Sequence, residues 1–158
     1  MNPVTMIFIA IVVVVFVIAG VVAGIFLLHG SESSAFTQDI TTIQGAVNSV
    51  FGVQGNYSGV STSGVIPKSL QGSTPVGGTF AVASASAGLP SYEYQIEANN
   101  INISPSICRQ IVSQVDTVST LVNGSAVGNS NATPTGAQAS SACANGATSL
   151  AFVFSNGQ

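Results

Sequence analysis

Between Met6 and Leu28 the chain is one unbroken apolar run, and no Asp, Glu, Lys or Arg occurs before Glu32. As a helix this stretch is roughly 30–35 Å long, the thickness of a bilayer core. A secretory signal would carry a basic n-region and a shorter apolar core. Neither is present, so the run is expected to be retained, either as a membrane anchor or as the start of a chain already processed. Pro3 and Thr5 precede it, where a first helical turn has no intrahelical N–H partner for proline to remove. Met6, Phe8, Val15, Phe16, Phe26 and Leu28 give it bulk, while Gly20 and Gly24 form a GxxxG pattern. That pattern suits close helix approach in lipid, the ordinary abundance of glycine in membrane helices, or a point where the helix stretches or melts. His29 at the junction reads as an interfacial polar residue.

Beyond the run, Phe36, Ile40, Ile43, Val47 and Val50 recur at helical spacing, with Phe51 beside the last. No proline interrupts between Thr5 and Phe51, which predicts one helix over about residues 3–53. Its first half is apolar all round, and its second half is amphipathic and must pack on a domain. The expected division is therefore residues 1–30, the apolar half of the helix, and residues 31–158, a globular domain that includes the amphipathic half.

The domain is unusual in being polar without being charged. Two Lys/Arg and five Asp/Glu occur in 158 residues, with a net charge of −3, and Ser, Thr, Asn, Gln and Gly supply the hydration. So few basic groups argue against direct nucleic-acid binding. Cys108 and Cys143 are the only cysteines. An even count beside an export or membrane segment points to a disulfide, with two buried thiols or half a metal site as the alternatives. A single histidine and no CxxC disfavour metal, and no cofactor is expected. There is no nucleophile elbow, phosphate loop or metal cluster, so no catalytic residue is assigned and an enzyme is not expected.

Gly52 to Gly59 supplies turn chemistry after the helix, and a loop runs to about Gly78. Phe80, Val82, Ser84 and Ser86 alternate as in a strand, and Gly88-Leu89-Pro90 reads as a turn. Tyr92, Tyr94 and Ile96 alternate with Glu93, Gln95 and Glu97 as in a half-buried strand whose carboxylates face solvent. Ser104-Pro105 opens a second helix with a serine N-cap and proline at N1. Ile107, Ile111, Val115, Val118 and Val122 are expected as its buried stripe, Arg109 and Asp116 as a solvated pair on one face, and Asn123-Gly124 as its stop. Ser125 to Ser141 reads as flexible. Leu150, Phe152 and Phe154 mark a final strand, and a Cys108–Cys143 bridge would staple the second helix to the segment leading into it. Four Asn-X-Ser/Thr sequons occur, at Asn56, Asn102, Asn123 and Asn131.

The order of elements, with Gly55-Asn-Tyr-Ser-Gly59, Ile66-Pro67, Thr74-Pro-Val-Gly-Gly78, Ser104-Pro-Ser-Ile-Cys108 and Thr133-Pro134 ahead of Cys143, resembles the type IVb pilins. The resemblance covers the whole chain and rests on the order and spacing of these short motifs. It implies an α+β fold of type IV pilin form: a long N-terminal helix packed on a small antiparallel sheet with a second helix. It implies a mature terminus at Met1, N-methylated after cleavage by a prepilin peptidase, and a homopolymeric helical filament with the apolar half-helix in its core. It further implies an inner-membrane pool before assembly, and an assembly ATPase, a platform protein and an outer-membrane secretin as partners. The family usually carries Glu at mature position five; Thr5 stands there, and a hydroxyl can accept a bond from an amine without neutralising it.

The expected function is that of a major subunit of an extracellular pilus serving adhesion, aggregation or conjugative mating contact. The alternatives are a minor pilin or secretion pseudopilin, or a single-pass membrane-anchored binding domain.

Overall fold

A computed structural model describes residues 30–62, 64–84, 90–128 and 131–155. Contacts divide the chain into two units, Met1–Ser31 and Glu32–Gln158, and the fold is that of the second. Met1, Pro3, Thr5, the run Met6–Leu28 with Phe8, Val15, Phe16, Gly20, Gly24 and Phe26, His29, and the expected turn at Gly88-Leu89 lie outside the described residues. Among the described residues no helix is long and apolar enough to cross a membrane.

Helix α1 occupies residues 30–51. Phe36, Ile40, Ile43 and Val47 are each at most 1% exposed, as expected when apolar side chains recur every three or four residues along one face. Val50 departs from the expected stripe. It is 54% exposed, while Phe51 next to it packs on the edge of the core. The helix is ending there, and the amides of Gly52, Gln54 and Gly55 bond back to the carbonyls of Asn48 and Phe51 at 2.9–3.1 Å. The core therefore takes one of the two neighbours and leaves the other in water.

Five strands form one antiparallel sheet in the order β1-β2-β5-β3-β4: β1 Thr79–Ser84, β2 Glu93–Ile103, β3 Ser119–Val122, β4 Ser125–Val127 and β5 Ala147–Ser155. The register places Phe80 opposite Ala98, Tyr94 opposite Phe154, Ile96 opposite Phe152, and Phe152 opposite Thr120. Period-two alternation thus gathers the large side chains on one face. Phe36 reaches that face, with ring centroids 5.3 Å from Phe80 and 6.4 Å from Phe152. Among the described residues the architecture is α+β, with an antiparallel sheet and three α-helices.

Helix α2, Pro105–Gln114, begins as its sequence predicts: Ser104 caps it, its side chain accepting from the Ile107 amide, and Pro105 stands in the first turn. It is shorter than expected. After Val115 the chain extends, and Val118 and Val122 belong not to a helical stripe but to a hairpin. Asn123-Gly124 does not stop a helix; it turns β3 into β4, with positive φ at both residues (50° and 79°), the backbone that a two-residue hairpin loop demands. The Thr- and Val-rich composition of 117–122 favours the extended form. Asp116 consequently leaves the α2 face: it accepts from the Thr133 hydroxyl at 2.8 Å, while the Arg109 Nε donates to the Pro105 carbonyl at 3.1 Å.

The stretch expected to be flexible holds β4 and a further helix, α3, Gly136–Ala142. A reciprocal capping box starts α3: the Thr135 hydroxyl accepts from the Gln138 amide, and the Gln138 side chain accepts from the Thr135 amide at 2.8 Å. One further expectation is corrected at β2: Tyr92 precedes the strand and is 52% exposed. Glu93, Gln95 and Glu97 are partly exposed on the face opposite the buried Tyr94, Ile96 and Ala98, and the Glu97 carboxylate accepts from the side-chain amides of Gln95 and Asn99.

Truncating Phe36 removes the ring that joins α1 to β1 and β5. Phe36→Ala is expected to cost about 3–5 kcal/mol, and Val50→Ala less than about 0.5 kcal/mol because that side chain is exposed. Denaturant unfolding of the full chain in detergent, followed by far-ultraviolet circular dichroism, compares the two.

Candidate functional site

The described residues do not converge on a reactive centre, and the distinctive chemistry lies in how the domain is fastened to α1 and to itself. The first fastening is the disulfide. Cys108, on the first turn of α2, is bonded to Cys143, the C-cap of α3, with a Cα–Cα distance of 5.7 Å, and both residues are fully buried. The bridge joins the two short helices and seats α3 beside the lead-in to β5.

The second fastening is a polar and aromatic cluster at the C-terminal end of α1. The Tyr57 and Tyr94 rings lie 4.6 Å apart between centroids, Tyr94 stacks on Phe154 at 5.6 Å, and Phe51 lies 6.3 Å from Tyr57. Both phenols turn to the same acceptor: Tyr57 Oη donates to Asn48 Oδ1 at 3.2 Å, and Tyr94 Oη stands 3.5 Å from it. The Tyr57 amide donates to the Ser91 carbonyl at 2.8 Å, which ties the chain leaving α1 to the chain entering β2. Burial pushes both phenols above the ordinary tyrosine range, and for Tyr94 the neighbouring Tyr57 adds to the shift. Asn48 and Tyr57 gave no signal by spacing. A polar residue on the rim of the α1 stripe, followed by a tyrosine within a Gly-rich turn, is the only sequence mark they leave.

Two motifs quoted for the pilin resemblance also acquire a local role. Thr74-Pro-Val-Gly-Gly78 is a closed turn feeding β1: the Thr74 hydroxyl donates to the Gly77 carbonyl at 2.6 Å, and the Thr74 amide to the Gly78 carbonyl at 3.0 Å. Gly78 has φ +75°, and a Cβ there would run into the Asn99 carbonyl oxygen, so only glycine lets this turn lie against β2. Thr133, beside Pro134, holds Asp116 as described.

The clefts carry little titratable chemistry. One of about 440 Å³ lies between β4 and α3 and is lined by residues such as Asn123, Ser125, Gln138 and Ser141. One of about 250 Å³ between α1 and the end of α2 includes a single carboxylate, Asp116. Among the described residues no group of three or more His, Cys, Asp or Glu stands together to hold a metal ion. Asp39 on α1 has its carboxyl raised by burial alone.

No family model matches the chain, and no curated protein or solved structure matches it either.

Two predictions follow from these fastenings. Because both phenols titrate higher in the folded than in the unfolded chain, the unfolded state loses its protons first as pH rises above about 10. Stability is then full below that pH and falls above it. Tyr94→Phe removes the larger share of this dependence, so its unfolding midpoint at pH 11, relative to pH 9, drops less than that of the wild type. Separately, peptide mapping without reductant recovers Cys108 and Cys143 in one linked pair. Reducing the bridge, which closes a 35-residue separation, costs about 4 kcal/mol in the chain-entropy account, read as a fall in the urea midpoint.

Proposed function

We propose that this chain is the major structural subunit of an extracellular type IVb pilus, held in the inner membrane by residues 6–28 before assembly and polymerised through that segment afterwards. The observation that carries the reading is α1. In sequence it follows the charge-free apolar run directly, and its buried seam of Phe36, Ile40, Ile43 and Val47 belongs to the core of the domain. An anchored domain with no polymer to build is ordinarily joined to its span by a polar linker; here the residues after the span are helix and core. Passing from lipid to a sheath of neighbouring helices keeps the run out of water in both states, so assembly needs little net hydrophobic gain.

The outward side of α1 supports the same reading. Ser34, Gln38, Thr41, Thr42, Gly45 and Ser49 are exposed, small or uncharged, a surface on which a second copy packs without like-charge repulsion. The buried disulfide fits an oxidising compartment. In the family resembled, a polymerising ATPase, a platform protein, a prepilin peptidase and a secretin would be the partners, and adhesion, aggregation or mating contact the role. Thr5 in place of the usual acidic residue favours one second reading, a minor subunit at a filament tip.

Electron microscopy of material sheared from producing cells, with mass spectrometry of its main band, tests the proposal. Abundant thin filaments made of this chain, starting at a methylated Met1, are expected. Filaments in which the chain is scarce would transfer it to the tip, and a chain retained in the membrane with no filament would overturn polymerisation altogether.

A further inference from the structure

The four sequons are equivalent as sequence and unlike as structure. An acceptor for N-linked sugar must expose its asparagine, leave the side-chain amide nitrogen free to react, and leave the hydroxyl two residues on free for the transferase to read. Asn123 fails on the amide. Its Oδ1 accepts from the Thr148 amide at 2.8 Å, the Thr148 hydroxyl at 3.1 Å and the Ser149 amide at 3.3 Å, and its Nδ2 donates to the Gly146 carbonyl at 3.4 Å. Asn102 fails on the hydroxyl: it lies within β2, and its partner Ser104 is the N-cap of α2, also paired with Ser106 at 3.0 Å. Asn131 fails likewise, since the Thr133 hydroxyl donates to Asp116 at 2.8 Å.

Asn56 meets all three conditions. It lies in the turn between α1 and the 3₁₀ turn Val60–Thr62, and both Asn56 and Ser58 are exposed. The residue between them, Tyr57, is fully buried and bonded to Ser91. The buried anchor fixes the turn and leaves its two neighbours in solvent. Asn56 Oδ1 accepts from the Ser58 amide at 3.0 Å, which orients the amide group. Among the described residues neither Asn56 Nδ2 nor the Ser58 hydroxyl makes a hydrogen bond.

We propose that Asn56 is the N-glycosylation site of this chain, the donor being a lipid-pyrophosphate-linked oligosaccharide. Asn56 Nδ2 attacks the anomeric carbon of the first sugar, and a carbon–nitrogen bond forms there. The bond from that carbon to the pyrophosphate oxygen breaks, its electron pair leaving with the lipid pyrophosphate, and the amide proton passes to a base of the transferase. The inference rests on the extracytoplasmic placement of the domain within the proposed function, and not on polymerisation.

The test is electron-transfer mass spectrometry of the full chain from its producing cells, taken separately from sheared filaments and from membranes, for wild type, Asn56→Gln and Ser58→Ala. Ser58→Ala keeps the backbone N–H that Asn56 accepts from and removes only the hydroxyl; an intact Cys108–Cys143 bridge in each variant shows that it has folded. The expected result is a saccharide mass on Asn56 in wild type, absent from the other three sequons and reduced at least tenfold by either substitution. Wild-type chain unmodified at Asn56, sugar at another sequon instead, or undiminished occupancy in Ser58→Ala overturns the proposal. Unmodified Asn56 in chains recovered from filaments removes the glycan and leaves the pilin reading standing. Sugar on Asn56 in a chain that forms no filament does the reverse.

Discussion

The seam between α1 and the inner face of the sheet is the contact on which the rest of the domain depends. A sheet with one polar and one apolar face needs a cover for the second, and an isolated helix rich in Ser, Thr and Gly is not stable alone in water. Each supplies what the other lacks. Phe36 meets the rings of Phe80 and Phe152 at one end of the seam, and Asn48 receives the phenols of Tyr57 and Tyr94 at the other. Between them Ile40, Ile43 and Val47 fill the interval. The two ends differ in chemistry. Ring packing tolerates small sliding, whereas two hydroxyls aimed at one carbonyl oxygen define a position along the helix axis. The polar end therefore fixes register, and the apolar end supplies most of the burial.

With two basic side chains in the whole chain, ion pairing can contribute little to this fold. Hydrogen bonds from short side chains to nearby backbone take its place. Ser104 caps α2, Thr135 and Gln138 box the start of α3, and Thr74 closes the turn into β1. Asn123 alone satisfies the chain entering β5 through three accepted bonds. Even fully buried hydroxyls are paired, as Thr117 with Thr120 at 2.9 Å, and no buried side-chain polar atom among the described residues lacks a partner. A surface built this way changes little with salt, since the groups that hold it carry dipoles rather than charges.

What the sequence shows clearly is whatever depends on strong local periodicity or on a special cap. The α1 stripe was legible from Phe36 to Val47, and so was the start of α2, because Ser-Pro before an apolar stripe has few other uses. Legibility failed where two periods overlap. Val115, Val118 and Val122 fit a helical stripe, but Val118, Thr120 and Val122 equally fit alternation, and Asn-Gly both ends helices and turns hairpins. Tertiary pairing with β5 decided for the strand. Helix α3 was missed because Ala, Ser and Gly carry no hydrophobic pattern; only the Thr135–Gln138 spacing could have announced it. The cluster joins Asn48 and Tyr57, nine residues apart, to Tyr94, which is 46 residues from Asn48, so no short window contains it.

That α3 carries so little hydrophobic pattern bears on how it is held. Ala139 is its one buried residue within Gly136–Ala142, and burying a methyl group gives about 1 kcal/mol, less than the cost of ordering one residue's backbone and side chain in many settings. The capping box adds about 1 kcal/mol more. Seven residues of helix cannot be kept on such terms by packing alone. Ala142 adds partial packing against the core, and the Cys143 bond to α2 is a further constraint that acts on the unfolded chain rather than through contact area. Such a bond persists only where thiols are oxidised. The part of the domain with the weakest core thus depends most on the compartment the chain folds in.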